Sequence, residues 1–246
     1  MPLHEETIIL GNKLFRWRSY LPLIFLLTLI PAYWDLKAVG TPTANSLSWG
    51  ITCFTLAFAG LLIRALTIGY TPLRTSGRNT KKQLADKLNT DGIYSLVRNP
   101  LYLGNFFMVI GVMLYVGIWY APLIYALGFW LYYERIIFAE ESYLRGKFGD
   151  EYISWADHTP AFWPRLHGWR APELPFSLRM VIKREHNGLL AMVTVFSLLD
   201  GYKNWALTGH FQIQTIWLWA LAAAFGIFML VELLRRFTSL LKTGRS

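Results

Sequence analysis

Long apolar stretches alternate with polar stretches along the chain, and the apolar ones give the first structural prediction. A membrane-spanning helix needs roughly 20 predominantly apolar residues. The stretches 47–70 and 213–234 reach that length, and 20–34 does so when it is extended slightly at both ends. A shorter apolar stretch, 188–199, precedes the last one and is joined to it by a loop around Lys203. This pattern predicts α-helices that cross a membrane.

The apolar run 101–133 is too long for one crossing. An α-helix rises about 1.5 Å per residue, and the hydrocarbon core of a bilayer is about 30 Å thick. Residues 117–122 offer a break in the middle of the run. We therefore predict a tight helical hairpin of two helices, 101–117 and 121–133. The fold class that follows is all-α, a polytopic transmembrane protein with about six spans.

The polar stretches divide the chain into three parts. Residues 1–70 form an N-terminal segment with two transmembrane helices. Residues 71–187 form a core in which the hairpin lies between two cytoplasmic segments, and its residues 75–82 are interpreted as a polar cytoplasmic loop. Residues 188–246 supply the last two helices and a basic tail.

Composition and charge support a membrane protein and give it an orientation. Hydrophobic residues make up 54% of the chain and charged residues 16%, whereas a soluble domain carries about a quarter charged residues. The net charge of +9 resides mainly in the N-terminal segment, in the two core segments and in the tail. The opposite loops hold only Lys37 and Lys203. Both termini are therefore predicted to be cytoplasmic.

Several classes of function receive no support from the sequence. No base-reading motif accompanies the basic charge, so we expect no binding of nucleic acid. Cys53 is the single cysteine, which excludes an intramolecular disulfide and a cysteine-based zinc site. No metal site is predicted.

The first core segment ends in a helix start that is suited to binding an anion. Pro100 is tolerated in the first turn of a helix, and Asn99 is then the N-cap residue. The free N–H groups at such an end favour a cofactor carboxylate or a substrate phosphate. Gly104, one turn further, would let a helix or a flat ring approach closely. An ordinary capped transmembrane helix with Arg98 and Tyr102 at the membrane interface would show the same residues.

The second core segment carries paired acids where the hairpin returns to the cytoplasm. Glu134 and Glu141 fall near one helical face, and Glu140 is adjacent. Paired acids near a membrane need partners. A cationic sulfonium or ammonium group of a cofactor is one candidate, and a basic side chain such as Arg98 or Arg135 is another. Acids solvated on a surface helix are the alternative interpretation.

Together the two segments resemble a pair of family signatures. The first segment reads Gly92-x-Tyr94-x-x-x-Arg98-Asn99-Pro100-x-Tyr102-x-Gly104. It resembles the G-x-Y-x-x-x-R-H-P-x-Y-x-G motif of the isoprenylcysteine carboxyl methyltransferase and phospholipid methyltransferase families. The second reads Glu140-Glu141-x-x-Leu144-x-x-x-Phe148-Gly149-x-x-Tyr152, followed by Pro160 and Pro164. It is similar to the E-E-x-x-L-x-x-x-F-G-x-x-Y and P-x-x-x-P segment of the same families.

The resemblance implies an integral membrane methyltransferase that uses S-adenosyl-L-methionine. The cofactor would bind at the cytoplasmic face, and a lipid or lipidated substrate would enter from the bilayer. Some family members act in bacterial envelopes, so we expect a multi-pass protein of the bacterial inner membrane. The residues expected to bind the cofactor are Tyr94, Arg98, Asn99, Pro100, Tyr102, Gly104, Glu140 and Glu141. The residues expected to act in catalysis are Arg98, Glu141 and Arg135.

Two positions depart from the family pattern. Asn99 stands where the family has histidine, which excludes histidine base catalysis there. The run Asp157-His158-Thr159 lacks the basic residue that the isoprenylcysteine enzymes carry before the proline. This second departure argues against an isoprenylcysteine substrate.

The acceptor class is predicted from the chemistry of methyl transfer. The cofactor is already activated, so the protein chiefly aligns the acceptor and excludes water. An anionic carboxylate or phosphate needs guidance by basic side chains, for which the candidates are Arg64, Arg98, Arg135 and Arg145. An amine would need a carboxylate such as Glu141 to accept its proton. The many arginines slightly favour the anion.

Two other functions remain open at this point. Sterol reductases, which use NADPH, resemble this sequence in the region near their C-termini. Their chains usually have more membrane spans before that shared region. A non-enzymatic membrane transporter or scaffold is the other alternative.

Overall fold

The computed structural model describes residues 2–18, 20–40, 46–72, 83 and 85–241. In this part of the chain all regular structure is helical, which confirms the predicted all-α class. The α-helices are α1 Leu3–Trp17, α2 Leu29–Val39, α3 Leu47–Tyr70, α4 Pro100–Tyr115, α5 Tyr120–Phe148, α6 Asp150–His158, α7 Leu178–Thr208 and α8 Thr215–Phe237. Two 3₁₀ segments, Leu21–Thr28 and Ile93–Ser95, accompany them. The predicted loop 75–82 lies outside the described residues.

Two of the described helices, α3 and α8, are long and apolar enough to cross a membrane. Helix α4 is apolar but shorter. On α8, large apolar side chains such as Trp219, Phe225 and Leu230 are exposed, as expected for a surface that contacts lipid. The six predicted spans therefore do not all correspond to helices of full membrane-spanning length and composition.

The N-terminal region differs from the single span predicted over 20–34. The 3₁₀ segment runs into α2 there, and α1, which the apolar pattern did not indicate, precedes both. Glu5 and Glu6 lie in the first turn of α1 and Arg16 in its last turn, so these charges complement the helix dipole. Helix α1 is amphipathic, and hydropathy alone identifies such a helix poorly.

The hairpin consists of α4 and α5, which are joined by residues 116–119. Ring contacts fix their antiparallel packing, because Tyr102 lies 4.8 Å from Tyr133 and Phe106 lies 5.9 Å from Tyr125 between centroids. Helix α5 continues well past residue 133, where the predicted helix ended. No proline or glycine interrupts residues 134–145, so nothing in that sequence stops the helix at the membrane surface.

Helices α3 and α4 approach each other closely at two glycines. A Cβ at Gly104 would lie 2.7 Å from the Gly60 carbonyl oxygen and 2.6 Å from Cγ of Arg64. A Cβ at Gly60 would lie 2.4 Å from the Gly104 carbonyl oxygen. The close approach anticipated at Gly104 is thus made by another helix, and not by a flat ring.

The loop predicted around Lys203 is wrong. Lys203 lies within α7, is 1% exposed, and places its Nζ 3.5 Å from the centroid of the Tyr115 ring. Buried Asp200 sits one turn earlier and accepts hydrogen bonds from the Tyr115 hydroxyl at 2.8 Å and from the Gln214 backbone at 2.7 Å. These polar contacts inside the fold allow α7 to continue to Thr208.

Candidate active site

The glycine that begins the first signature anchors that segment to the chain beyond α6. Gly92 has a positive φ of 55°, a conformation that favours glycine. Its N–H donates to the Arg170 carbonyl at 2.9 Å. Two residues later, the Tyr94 carbonyl accepts a hydrogen bond from Trp155 Nε1 at 3.1 Å. The signature therefore folds against residues that follow the second signature in the sequence.

Backbone hydrogen bonds align the end of the first signature with the segment 160–165. The Arg98 N–H donates to the Pro160 carbonyl at 2.9 Å, and the Arg165 N–H donates to the Leu96 carbonyl at 3.0 Å. Asn99 occupies the N-cap position of α4, with Pro100 as the first helical residue, but its side chain does not cap the helix. Its amide Nδ2 donates instead to the Ala161 carbonyl at 3.0 Å.

The two signatures meet at Arg98 and Glu141. Nε of Arg98 lies 3.2 Å from Oε1 of Glu141, and both side chains are largely buried. Neither of these two atoms, nor the hydroxyl oxygen of nearby Tyr152, has a well-aligned hydrogen-bond partner among the described residues. Burial raises the pKa of the Glu141 carboxyl, and the Arg98 guanidinium opposes part of that rise.

Glu140 lies beside this pair in a different environment. Its Oε1 is 3.9 Å from Nη1 of Arg18. Burial raises the pKa of the Glu140 carboxyl to about 7, while a hydrogen-bonding contact with Tyr102 and the charge of Arg18 oppose the rise, and Glu141 adds to it. A carboxyl group in this range exchanges its proton near neutral pH.

The remaining predicted site residues lie outside this contact. Glu134 is exposed. The guanidinium of Arg135 donates to the Leu131 carbonyl of its own helix, and no described contact joins it to Arg98 or Glu141. Gly104 lies one turn into α4, where it packs against α3.

Arg64, a candidate guide for an anionic acceptor, is held by other residues. Its Nε and Nη2 bind the two carboxylate oxygens of Glu185 at 2.9 and 2.7 Å. Its Nη1 donates to Oδ1 of Asn105 at 2.7 Å. Glu185 lies on α7 and is buried. This pairing could not be predicted from the sequence, because Glu185 follows the signatures and belongs to no motif.

An aromatic segment, 160–164, packs against the hairpin. Phe162 is buried, and its ring lies 5.8 Å from those of Phe106 and Phe129 and 5.7 Å from that of Trp130. Trp163, beside it, is exposed. The segment thereby limits the access of water to the hairpin side of the site.

The charged side chains of Arg98 and Glu141 suit a cofactor that carries both a carboxylate and positively charged groups. An N–H of Arg98 suits a carboxylate, and the oxygens of Glu141 suit an amino or hydroxyl group. The positive end of the α4 dipole lies beside them, although the N–H groups of Tyr102 and Leu103 already donate to the Asn99 carbonyl. S-adenosylmethionine offers the complementary groups, because it carries a carboxylate, an amine, ribose hydroxyls and a positive sulfonium.

Comparison with known proteins identifies relatives over most of the chain. The sequence profile of the phospholipid methyltransferase family matches residues 49–151. Protein-S-isoprenylcysteine O-methyltransferase of Schizosaccharomyces pombe is 34% identical over 87 residues, which cover 35% of this chain and 37% of that protein. The nickel-cobalt-cadmium resistance protein NccN of Alcaligenes xylosoxydans xylosoxydans is 31% identical over 172 residues, which cover 69% of this chain and 73% of that protein.

A second metal-resistance protein is also similar to this chain. The cobalt-zinc-cadmium resistance protein CzcN of Cupriavidus metallidurans is 33% identical over 116 residues, which cover 47% of this chain and 51% of that protein. The match thus spans less than two thirds of the yeast enzyme and of CzcN. No solved structure matches the chain.

Proposed function

Because the chain belongs to the isoprenylcysteine carboxyl methyltransferase and phospholipid methyltransferase family, we propose that it transfers a methyl group from S-adenosylmethionine to a lipid or lipid-attached acceptor. The contact between Arg98 and Glu141 carries this proposal. It joins the two family signatures at 3.2 Å and holds buried polar atoms that lack aligned partners among the described residues.

The residues at this contact have distinct proposed roles. Arg98 binds the carboxylate of the cofactor, and Glu141 accepts a hydrogen bond from its amine or a ribose hydroxyl. Asn99 and Pro100 fix the start of α4 next to Arg98. The bound cofactor supplies an activated methyl group, and the protein's part is alignment and exclusion of water.

Tyr94, Tyr102, Gly104 and Glu140 form the proposed surroundings of the cofactor. Burial and proximity to Glu140 raise the pKa of Tyr94, so its hydroxyl remains a hydrogen-bond donor at neutral pH. Gly104 admits α3 next to α4 and thereby sets the shape of the site. Arg135, bound to its own helix, has no structural support as a catalytic residue.

The acceptor class follows from which charged groups are available. Arg64 and Arg135 are engaged in protein contacts, which weakens the case for an anion guided by many arginines. Glu140, with a pKa of about 7, is suited to accepting a proton from an amine. Anionic and amine acceptors yield different methylated lipids, so a product analysis distinguishes them.

We place the protein in the membrane as a multi-pass chain. The proposed crossings are residues 20–39, α3, α4, the first part of α5, α7 and α8, with both termini in the cytoplasm of a bacterial inner membrane. Residues 71–187 are the proposed methyltransferase core, and 1–70 and 188–246 are its membrane flanks. Six crossings bring both signatures to the cytoplasmic face.

Family membership argues against the alternatives of an NADPH-dependent reductase and of a transporter or scaffold. Two relatives carry metal-resistance names. Among the described residues no group of three or more His, Cys, Asp or Glu side chains is placed to hold a metal ion. We propose lipid methylation from the signatures and assign no metal to the chain.

The test is methylation by purified protein in bilayers. We expect transfer of label from methyl-labelled S-adenosylmethionine to extractable bacterial lipid, with mass analysis showing the addition of one methyl group. Glu141→Gln should lose this activity, whereas Glu134→Gln, which changes an exposed acid on the same helix, should retain it. Protein that binds the cofactor but labels no lipid or lipidated peptide would contradict the proposed acceptor class.

A further inference from the structure

Helix α1 lies outside the family match and outside both signatures, yet it is fixed against the site. A Cβ at Gly11 would lie 2.2 Å from the Arg135 carbonyl oxygen and 2.7 Å from Cβ of Ala139, so α1 contacts the backbone of α5 directly. Three residues further along α1, the Leu14 carbonyl accepts a hydrogen bond from the Tyr132 hydroxyl at 2.7 Å. These contacts direct the end of α1 towards Glu140.

Arg18, the residue that follows α1, reaches this acid. Its guanidinium carbon lies 3.8 Å from the centroid of the buried Phe15 ring, a cation–π contact that orients the side chain. Its Nη1 lies 3.9 Å from Oε1 of Glu140, and the Arg18 side chain is only 12% exposed. A cation this far removed from water interacts with a nearby carboxylate more strongly than a surface pair does.

We propose that Arg18 is a positioning residue of the methyltransferase site, which acts by keeping the Glu140 carboxylate ionised and oriented for a cationic cofactor. This inference rests on the proposed function, because it takes Glu140 as part of the cofactor site. It assigns the N-terminal helix a role in a site that the family signatures place wholly within the core.

The charges around Glu140 show why a cation is needed there. The titratable and charged groups that face it are Arg18, Tyr94, Tyr102, Tyr133 and Glu141. Burial and the neighbouring Glu141 raise the pKa of Glu140 from 4.5 to about 7. The Tyr102 hydroxyl and Arg18 oppose this rise and keep the pKa from going higher. Without Arg18 the pKa would rise further, and Glu140 would be mostly neutral at pH 7.

The experiment measures the affinity for S-adenosylmethionine against pH, from about pH 6 to about pH 9, in the full-length protein. Wild-type affinity should fall as the pH drops through about 7. Arg18→Gln should move this fall to higher pH, and a shift of about one unit corresponds to roughly fivefold weaker binding at pH 7 and approaches about tenfold at lower pH. Arg18→Lys should restore much of the wild-type profile. Arg16→Gln, on the exposed side of α1, should leave it unchanged.

A second measurement needs no cofactor. Infrared difference spectra across the same pH range report protonation of Glu140, and Glu140→Gln identifies its band. Arg18→Gln should move that titration upwards. An unchanged titration, or an affinity loss of equal size at every pH, would overturn the inference and leave the proposed function standing. Wild-type protein that binds no S-adenosylmethionine while Arg18→Gln still shifts the Glu140 titration would overturn the proposed function.

Discussion

Three buried polar side-chain atoms make no aligned hydrogen bond among the described residues where the two signatures meet. A buried polar group without a partner costs about 1 to 3 kcal/mol. Arg98 Nε and Glu141 Oε1 form an ion pair at 3.2 Å, but neither atom, nor the Tyr152 hydroxyl, makes an aligned hydrogen bond among the described residues. A ligand that satisfies these atoms recovers that free energy on binding. The ion pair therefore retains hydrogen-bonding capacity that a ligand could use.

Replacement of Glu141 by glutamine tests its role in cofactor binding. The amide keeps the shape of the side chain but removes the charge that strengthens the hydrogen bond. Loss of a charge-assisted hydrogen bond costs about 1.5 to 3 kcal/mol, which corresponds to roughly 10- to 150-fold in affinity. Calorimetric titration of S-adenosylmethionine should show a decrease of this size. Equal affinities for Glu141→Gln and the Glu134→Gln control would mean that Glu141 is only a helix residue.

The raised pKa of Glu140 predicts that the stability of the folded protein depends on pH. Its pKa is raised in the folded protein from 4.5 to about 7, so its ionisation opposes folding. The stability associated with its protonated form is complete below pH 4.5 and is lost as the pH rises through about 7. Glu140→Gln should therefore flatten the decrease in unfolding temperature over this range. If the unfolding temperatures of wild type and variant, measured in detergent, decreased in parallel as the pH rises, the raised pKa of Glu140 would be contradicted.

Part of the candidate site could be predicted from the sequence. Arg98 and Glu141 could be found because each occupies a defined place in a signature. Arg18 and Glu185 could not, because their importance arises from contacts between elements far apart in the chain. Arg64 looked available in the sequence for the same reason, since its partner on α7 belongs to no motif.

Helix packing sets the geometry on which the site depends. The α3–α4 contact relies on Gly60 and Gly104, whose hydrogens leave room for the facing backbone. Small residues serve this purpose at interfaces between membrane helices. Asn105, next in the chain, then holds Arg64 of α3. The contact joins the start of α4 to the rest of the helical assembly.

Gly104→Ala tests this contact. The new Cβ would meet the Gly60 carbonyl at 2.7 Å, so the helices would have to separate. We expect destabilisation of about 1 to 3 kcal/mol, visible as a lower unfolding temperature. Gly226→Ala is the matched control, since a Cβ at this position on α8 meets nothing within 4 Å. Equal unfolding temperatures for the two variants would show that α3 and α4 do not pack this closely.

Elements were predictable where their apolar length exceeded what a soluble fold would use. Helix α3 and the break between α4 and α5 followed from hydropathy. The extension of α5 beyond residue 133 and the full length of α7 did not, because these parts are polar or amphipathic and hydropathy identifies only apolar runs. Their continuation depends on the lack of breakers and on buried contacts such as that of Asp200 with Tyr115.

In the proposed six-crossing arrangement of the whole molecule, both signatures face one side of the membrane. The charge asymmetry predicts that this side is the cytoplasm. The connection between α7 and α8 would then lie on the opposite side. Lys203 does not report on that side, because it is buried in α7.

Cysteine accessibility tests the topology. In a Cys53→Ala background, we place single cysteines at exposed His210 and exposed Asp86. A membrane-impermeant reagent added to intact cells should label His210→Cys, and label Asp86→Cys only after the membrane is opened. Labelling of both positions from the same side would contradict the six-crossing arrangement.

The central claim is that this membrane protein uses S-adenosylmethionine. Calorimetric titration of the purified wild-type protein in lipid nanodiscs with S-adenosylmethionine, and separately with NADPH, tests it most directly. We expect saturable binding of S-adenosylmethionine that weakens in Glu141→Gln, and no binding of NADPH. Saturable binding of NADPH with no response to S-adenosylmethionine would contradict it.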